Sequence, residues 1–246
     1  MIKKFAAIIS LLMCPLFSGI SQERMSEVVI ISTIHKAHEL NPRYSYDSLF
    51  SFIEKYNPDI IGIEIRSQDI DSSVAYLKNN YPFEMYESIK KYPSKEVLGF
   101  DWLGSDLEGK PIPENYWKEI STLKKLQVKF NQDSIISQKL SILKIIKEEK
   151  EKLILNSSLS ELNDGRYDLI NFIYYEQLRT LLSGSEYLTL SDFYKQRDEH
   201  IAENIIEIIK SNKGKRMIFL LGADHRDYTL KRVTGELGDH ILLNHF

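Results

Sequence analysis

A single cysteine, Cys14, occurs among the 246 residues, and it falls in a segment that reads as a removable leader. The mature chain then has no thiol, which excludes disulfides, a cysteine nucleophile, iron–sulfur ligation and thiolate zinc sites. An excess of one charge is also missing. The formal charge is −3, and about −5 once Lys3 and Lys4 leave with the leader. Nothing in that balance draws the chain to nucleic acid or to an anionic membrane. Lysines are common in the middle region, but Glu148, Glu149, Glu151 and Glu161 alternate with them, as on a solvated helical face. No GxSxG elbow, HExxH, P-loop or GxGxxG is present, so serine hydrolases, zincins and nucleotide folds have no positive support. Internal repeats and low-complexity linkers are absent too.

The first 21 residues have the layout of a secretory signal peptide. Lys3 and Lys4 give a positive start, Phe5 to Met13 an apolar stretch too short to span a membrane, and Gly19 and Ser21 the small positions before a cut at Gln22. Lipid attachment at Cys14 is the competing reading. Met13 stands where that signal wants a small residue, and Pro15 follows directly. The expectation is an exported protein, periplasmic or secreted, with residues 22–246 forming one domain and no transmembrane segment in the mature chain.

Short β-branched and apolar runs mark buried strands at Val28 to Ser32, Asp59 to Arg66, Glu96 to Asp101 and Met217 to Leu221, with a last one from His240 to Asn244. Leu49, Phe50, Ile53 and Tyr56 have helical spacing, and Asn57-Pro58 ends that helix, making a strand–helix–strand crossover. Residues 114–212 read as three or four helices, with breaks near Asn156, Asn163 and Ser183. Ser191 or Asp192 is the expected cap of the last one. Strands at both ends and helices between predict an α/β fold: a mainly parallel central sheet with flanking helices and a helical insertion over about 114–185, acting as a cap.

Open parallel sheets place ligands at the carboxyl ends of their strands. The residues found there are His35, Glu64, Arg66, Asp101, Asp224 and His225. His35, Glu64 and His225 have the composition of a hydrolytic metal site for a divalent ion such as Mn, Co or Zn. The same residues also suit metal-free catalysis, with an imidazole as general base and a carboxylate orienting it. Structural alternatives stand beside each: Glu64 as a partner of Arg66, Asp101 as a turn acid, Asp224 as a helix cap, His240 and His245 as exposed. On a late helix Arg197, His200 and Asn204 share a face, with Ile201, Ile205 and Ile208 on the adjoining one. Arg197 is the candidate for binding a carboxylate or a developing oxyanion.

Taken in order, these motifs resemble the superfamily of the erythromycin esterases, the ChaN haem-binding lipoproteins and the TraB/Tiki proteins. Gly222-Ala223-Asp224-His225 matches a Gly-x-x-His motif, and Ser32-Thr33-Ile34-His35 matches it with serine for glycine. Gly62-Ile63-Glu64 and Arg197-Asp198 supply the glutamate and Arg-Asp motifs. The resemblance implies that His35, Glu64, Arg197 and His225 face one pocket. It implies esterase, metallopeptidase or haem-binding activity, since that group contains all three. The leading expectation is an exported hydrolase of ester or amide bonds in a small molecule or peptide, with Asp101 as a supporting carboxylate. The alternatives are a haem- or iron-binding uptake protein, with Tyr44 and Tyr46 near His35, and a non-catalytic ligand binder.

Overall fold

The computed structural model describes residues 24–244. The expected leader, Cys14 and His245 lie outside that range. In chain order the elements are β1 (Ser26–Thr33), α1 (Tyr46–Tyr56), β2 (Ile60–Ile63), α2 (Val74–Asn80), α3 (Phe83–Lys91) and β3 (Glu96–Gly99). The insertion follows with α4 (Thr122–Gln132), α5 (Ser134–Lys139), α6 (Lys144–Asn156), α7 (Leu159–Leu162) and α8 (Arg166–Leu182). The chain then closes with α9 (Leu188–Ser211), β4 (Arg216–Gly222), α10 (Ala223–Leu237) and β5 (Ile241–Leu243). No helix among the described residues is long and apolar enough to cross a membrane.

The strands form one parallel sheet in the order β3-β2-β4-β1-β5. From β1 the chain moves to β2 and on to β3 at one edge, and from β4 it crosses to β5 at the other, so its direction reverses at the central pair. Ligand crevices of open α/β sheets form where the direction reverses in this way.

Successive side chains of β1 go to opposite faces, and both faces are dry. Val29 and Ile31 pack with Leu49, Phe50 and Ile53 of α1. Val28 and Ile30 pack with Ile201, Ile205 and Ile209 of α9 and Val233 and Leu237 of α10. Each such burial stabilises by roughly 1.5–3 kcal/mol, which is why the strands read as continuous apolar runs. Beyond the short β5, the free edge of β1 is closed by side chains. Asn163 Oδ1 accepts from Ser32 N (2.7 Å), Tyr44 Oη donates to Ser32 O (2.7 Å), and Arg226 Nε donates to Ile30 O (3.0 Å). Asn163 and Arg226 thereby tie the α7–α8 loop and α10 to the central strand.

Several boundaries differ from the sequence expectation, each for a local reason. β2 stops at Ile63 because Ile65 N turns back to Ile63 O (2.8 Å), which releases Glu64 from the ladder. His35 and His38 lie in a 3-10 turn, His35–Glu39, just after β1. Neither Ser191 nor Asp192 caps α9, which begins at Leu188 with no side-chain cap; Asp192 pairs with Arg179 (2.5 Å) instead. The last long helix starts at Ala223, directly after β4, so His225 lies in its first turn. The insertion is broken more often than expected, with further breaks at Ser121, where a cap starts α4, and at Asp133, where another starts α5. The short helices α2 and α3 lie between β2 and β3, a stretch with no assignment from sequence.

Candidate active site at the carboxyl edge of the sheet

The register brings four strand exits level. Thr33 pairs with Gly222, Ile63 with Leu220, and Ile63 with Gly99. Just past these positions come Asp101, Glu64, His225 and His35, from β3, β2, β4 and β1 in sheet order. Arg197 reaches the same place from α9.

Arg197 is the centre of the arrangement. Its guanidinium has five N–H donors. Nε donates to Asp101 Oδ1 (2.9 Å), Nη2 to Glu64 Oε1 (2.6 Å) and Nη1 to His225 Nε2 (3.2 Å). One N–H on Nη1 and one on Nη2 remain without an acceptor among the described residues. Asn204, two turns further along the same face, donates to Phe100 O (2.9 Å), and His200 stacks on Trp102 with ring centroids 4.3 Å apart. The polar stripe expected on this helix is therefore its docking surface against the exit of β3.

Glu64 is buried, and its second oxygen accepts from Gly222 N at 2.5 Å. Burial pushes its carboxyl up, but Arg197, both histidines and the Gly222 amide outweigh that and hold it down at about 2. The charged form is therefore worth stability above the ordinary carboxylate range, and that stability is lost as pH falls toward about 2. Asp101 shares the same guanidinium and goes the other way: burial and the Glu64 charge raise it despite Arg197. One carboxylate keeps its charge at the other's expense. Between these two acids Arg197 is raised, the carboxylates outweighing burial.

The two histidines are each held by a further carboxylate. His35 Nδ1 lies 2.7 Å from Glu84 Oε1, on α3, where Glu84 is wholly buried. In the neutral ring with its proton on Nδ1 toward that carboxylate, Nε2 keeps a lone pair. Burial lowers the ring's pKa, but the Glu84 bond and the Glu64 and Glu84 charges raise it above the ordinary histidine value. His35 takes a left-handed backbone (φ 49°), uncommon for a residue with a side chain. Tyr46 Oη fixes that turn by donating to His35 O (3.0 Å). The ring is 41% exposed, so it meets solvent on one side and the buried acids on the other.

His225 Nδ1 lies 2.5 Å from Asp198 Oδ1, which leaves the Nε2 lone pair to accept from Arg197. Burial lowers its pKa, but Glu64 and Asp198 raise it above the ordinary value despite Arg197. Glu64 Oε1 also lies 3.6 Å from its Nε2. Gly222 is required by closeness alone: a Cβ there would stand 2.8 Å from His35 Nε2 and 3.4 Å from Glu64 Oε2.

All five residues expected in the site therefore meet: His35, Glu64, Asp101, Arg197 and His225. Of the three proposed as metal ligands, Glu64 and His225 meet at a guanidinium, and His35 is bonded to Glu84. The His225 lone pair and one Glu64 oxygen are directed at Arg197, the other Glu64 oxygen at a backbone amide. No group of three or more His, Cys, Asp or Glu among the described residues is arranged to hold a metal ion. As they stand, these side chains do not fit a divalent cation.

The remaining candidates have other work. Arg66 does not pair with Glu64; it binds Asp69 and the carbonyls of Leu107 and Lys110. His38 accepts from Ile34 N (3.1 Å) and donates to Tyr44 O (2.6 Å), a structural bracket. Tyr44 and Tyr46 both donate to main-chain carbonyls, so neither phenol is offered to a haem iron. His240 is exposed. Asp224 caps nothing; it accepts from Tyr167 Oη (2.6 Å), Tyr175 Oη (2.7 Å) and Lys150 Nζ (3.1 Å). Lys150 is buried over the rings of Tyr174 and Tyr175, and this knot fastens the insertion to the turn carrying His225.

Sequence reasoning missed Glu84 and gave Asp198 no role. Glu84 sits on the buried stripe of α3 with Met85 and Ser88, an acid on an otherwise dry face, and that was its signal. Asp198 was inside the Arg-Asp motif already noted.

Comparison of the chain with protein-family models, with curated proteins and with solved structures returned no match. The functional reading rests on the site itself.

Proposed function

We propose that the protein is a hydrolase of ester or amide bonds that works without a metal, using His35 as general base and Arg197 as the oxyanion donor. The juxtaposition that carries this reading is His35, oriented by the buried Glu84, beside an arginine with two uncommitted N–H groups. The resemblance to the erythromycin esterase superfamily points the same way.

In this reading the Nε2 lone pair of His35 takes a proton from water, and the hydroxide formed attacks the carbonyl carbon. The Nδ1–H bond to Glu84 holds the ring and stabilises the imidazolium. Negative charge builds on the carbonyl oxygen and is met by the free N–H groups of Arg197, in a pocket where such donors are worth more than in water. The bond to the leaving group breaks, and His35 returns its proton to that oxygen or nitrogen. Glu64, Asp101 and His225 hold the guanidinium on three sides so that it is aimed before substrate arrives. Asp198 fixes His225 in turn.

The test is hydrolysis of p-nitrophenyl acetate and a p-nitroanilide by the purified protein and by His35→Ala. Activity that survives chelation and falls with His35→Ala supports the reading. A chain that hydrolyses neither substrate, or whose activity survives His35→Ala, contradicts it. A Soret band on adding haemin, lost in His35→Ala, would replace it with the haem-binding reading.

A further inference from the structure

A cavity of about 260 Å³ lies between α8, α9 and α10, and His225 and Asp198 form part of its wall. None of His35, Glu64, Asp101 and Arg197 lines it; it adjoins the site through His225, which is bonded to both Arg197 and Asp198. A second lobe of about 270 Å³ shares Tyr175, Ser191, Tyr194, Asp224 and His225 with the first. It continues over Phe130, Leu178, Leu182 and Leu190. Four rings, Phe172, Tyr175, Tyr194 and Tyr228, line the first lobe. Most of its charged groups are already spent. Asp198 is bonded to His225, Asp224 to Lys150 and two tyrosines, Asp227 to Lys231, and Arg179 to Asp192. What the walls offer an occupant is chiefly aromatic surface.

Glu176 and Lys195, both exposed, have no ion pair among the described residues, and of the three tyrosines Tyr194 alone has a hydroxyl bonded to no described residue. It precedes Arg197 and Asp198 by three and four residues, so it shares their face of α9. Its ring lines both lobes. A free phenol at the junction of the two lobes is available to donate to a polar group of an occupant.

His35, which returns the proton to the leaving group, does not line the cavity, whereas His225 and Asp198 do. The departing alcohol or amine is therefore placed on the His35 side, and the cavity takes what stays on the carbonyl carbon. Small-molecule sites usually run to roughly 300–1,000 Å³, whereas about 150 Å³ already accommodates benzene. The first lobe is the size for one ring and a short arm.

We propose that this cavity is the acyl subsite, and that the preferred substrate is an ester or amide of a carboxylic acid bearing a single aromatic ring on a short chain. The assignment of the ring to the acyl side rests on the hydrolase reading above; the affinity for an arylalkanoate does not.

Ser191 gives a clean way to fill the space, since it is small, partly buried and lines both lobes. Binding of 3-phenylpropionate and of propionate is measured by calorimetry on wild type, Ser191→Phe and Ser191→Ala, with the melting temperature of each. The expected result is 3-phenylpropionate at least about tenfold tighter than propionate, the advantage of burying a ring. That preference is lost in Ser191→Phe and kept in Ser191→Ala, with all three proteins folded. Equal affinity for the two acids, or a preference that survives Ser191→Phe, overturns the subsite. If Ser191→Phe does not fold, Phe172→Ala, at an exposed ring of the same wall, is expected to weaken 3-phenylpropionate and leave propionate unchanged; no change overturns the proposal. Because binding is read without turnover, the two ideas separate. Ring-selective binding by a chain that hydrolyses nothing supports the subsite and overturns the hydrolase. Hydrolysis with no ring preference overturns the subsite alone.

Discussion

Two arginines meet the chain where it leaves β2, and they do opposite things. Arg66 follows Glu64 by two residues and is 3% exposed. Its Nε donates to Asp69 and Tyr81, Nη1 to Leu107 O, and Nη2 to Tyr76, Asp69 and Lys110 O. Every nitrogen is engaged by a fixed partner, and the second Nη1–H goes to the Gln68 side-chain oxygen (3.2 Å) in the amide orientation that satisfies both groups, so no donor is left for a ligand. Arg197 is nearly as enclosed, yet it keeps two N–H groups uncommitted and is aimed by two carboxylates and a histidine. Burial and ion pairing alone do not separate a structural arginine from a functional one. The count of unspent donors does.

That contrast can be broken at either end. Arg66→Ala should be the larger perturbation, costing about 3–5 kcal/mol of stability by leaving Asp69 buried and unpaired. Urea unfolding reads that loss, while the rate per folded molecule should stay close to wild type. Arg197→Lys keeps the charge but loses the fork, and kcat/KM should fall about 10²–10³-fold with little change in melting temperature. A large stability loss with unchanged kinetics would make Arg197 a second Arg66. The two acids on Arg197 sharpen the point further. Glu64 is held down at about 2 and Asp101 is raised, so Glu64→Gln removes a firm charge and Asp101→Asn a weakly held one. The glutamate variant should lose more activity at neutral pH; equal losses would show that the two acids share the work. The smallest effect expected is that of a chelator. Prolonged treatment should leave both rate and melting temperature unchanged, because the cation at the centre is covalently part of the chain; a fall in either would mean a bound metal contributes.

The residues of the site differ in how far they could be read from the chain. His35, Glu64, Asp101 and His225 were visible because each follows a β-branched run, and parallel strands end level. Arg197 was visible because α9 has a clear apolar face and the arginine lies beside it. Glu84 was not, because α3 is a nine-residue helix whose packing depends on sheet geometry rather than on local periodicity. The position of His225 inside α10 was missed because β4 runs into the helix without a cap residue to mark the joint. The metal expectation drew on the same three residues that do converge. Composition could not show that an arginine from 133 residues away would stand among them.

The most direct test of a Glu84-oriented His35 base is the pH dependence of kcat/KM for ester hydrolysis, in wild type and Glu84→Gln, with chelator present. His35 must be neutral to accept a proton, and its pKa is raised, so the acidic limb of the wild type should lie above the ordinary histidine value of 6.5. Losing the Glu84 charge removes one of the two carboxylates that raise the ring against its burial and should move that limb downward, with a lower plateau. An identical limb in both proteins, or no chelator-resistant hydrolysis at all, would contradict the account.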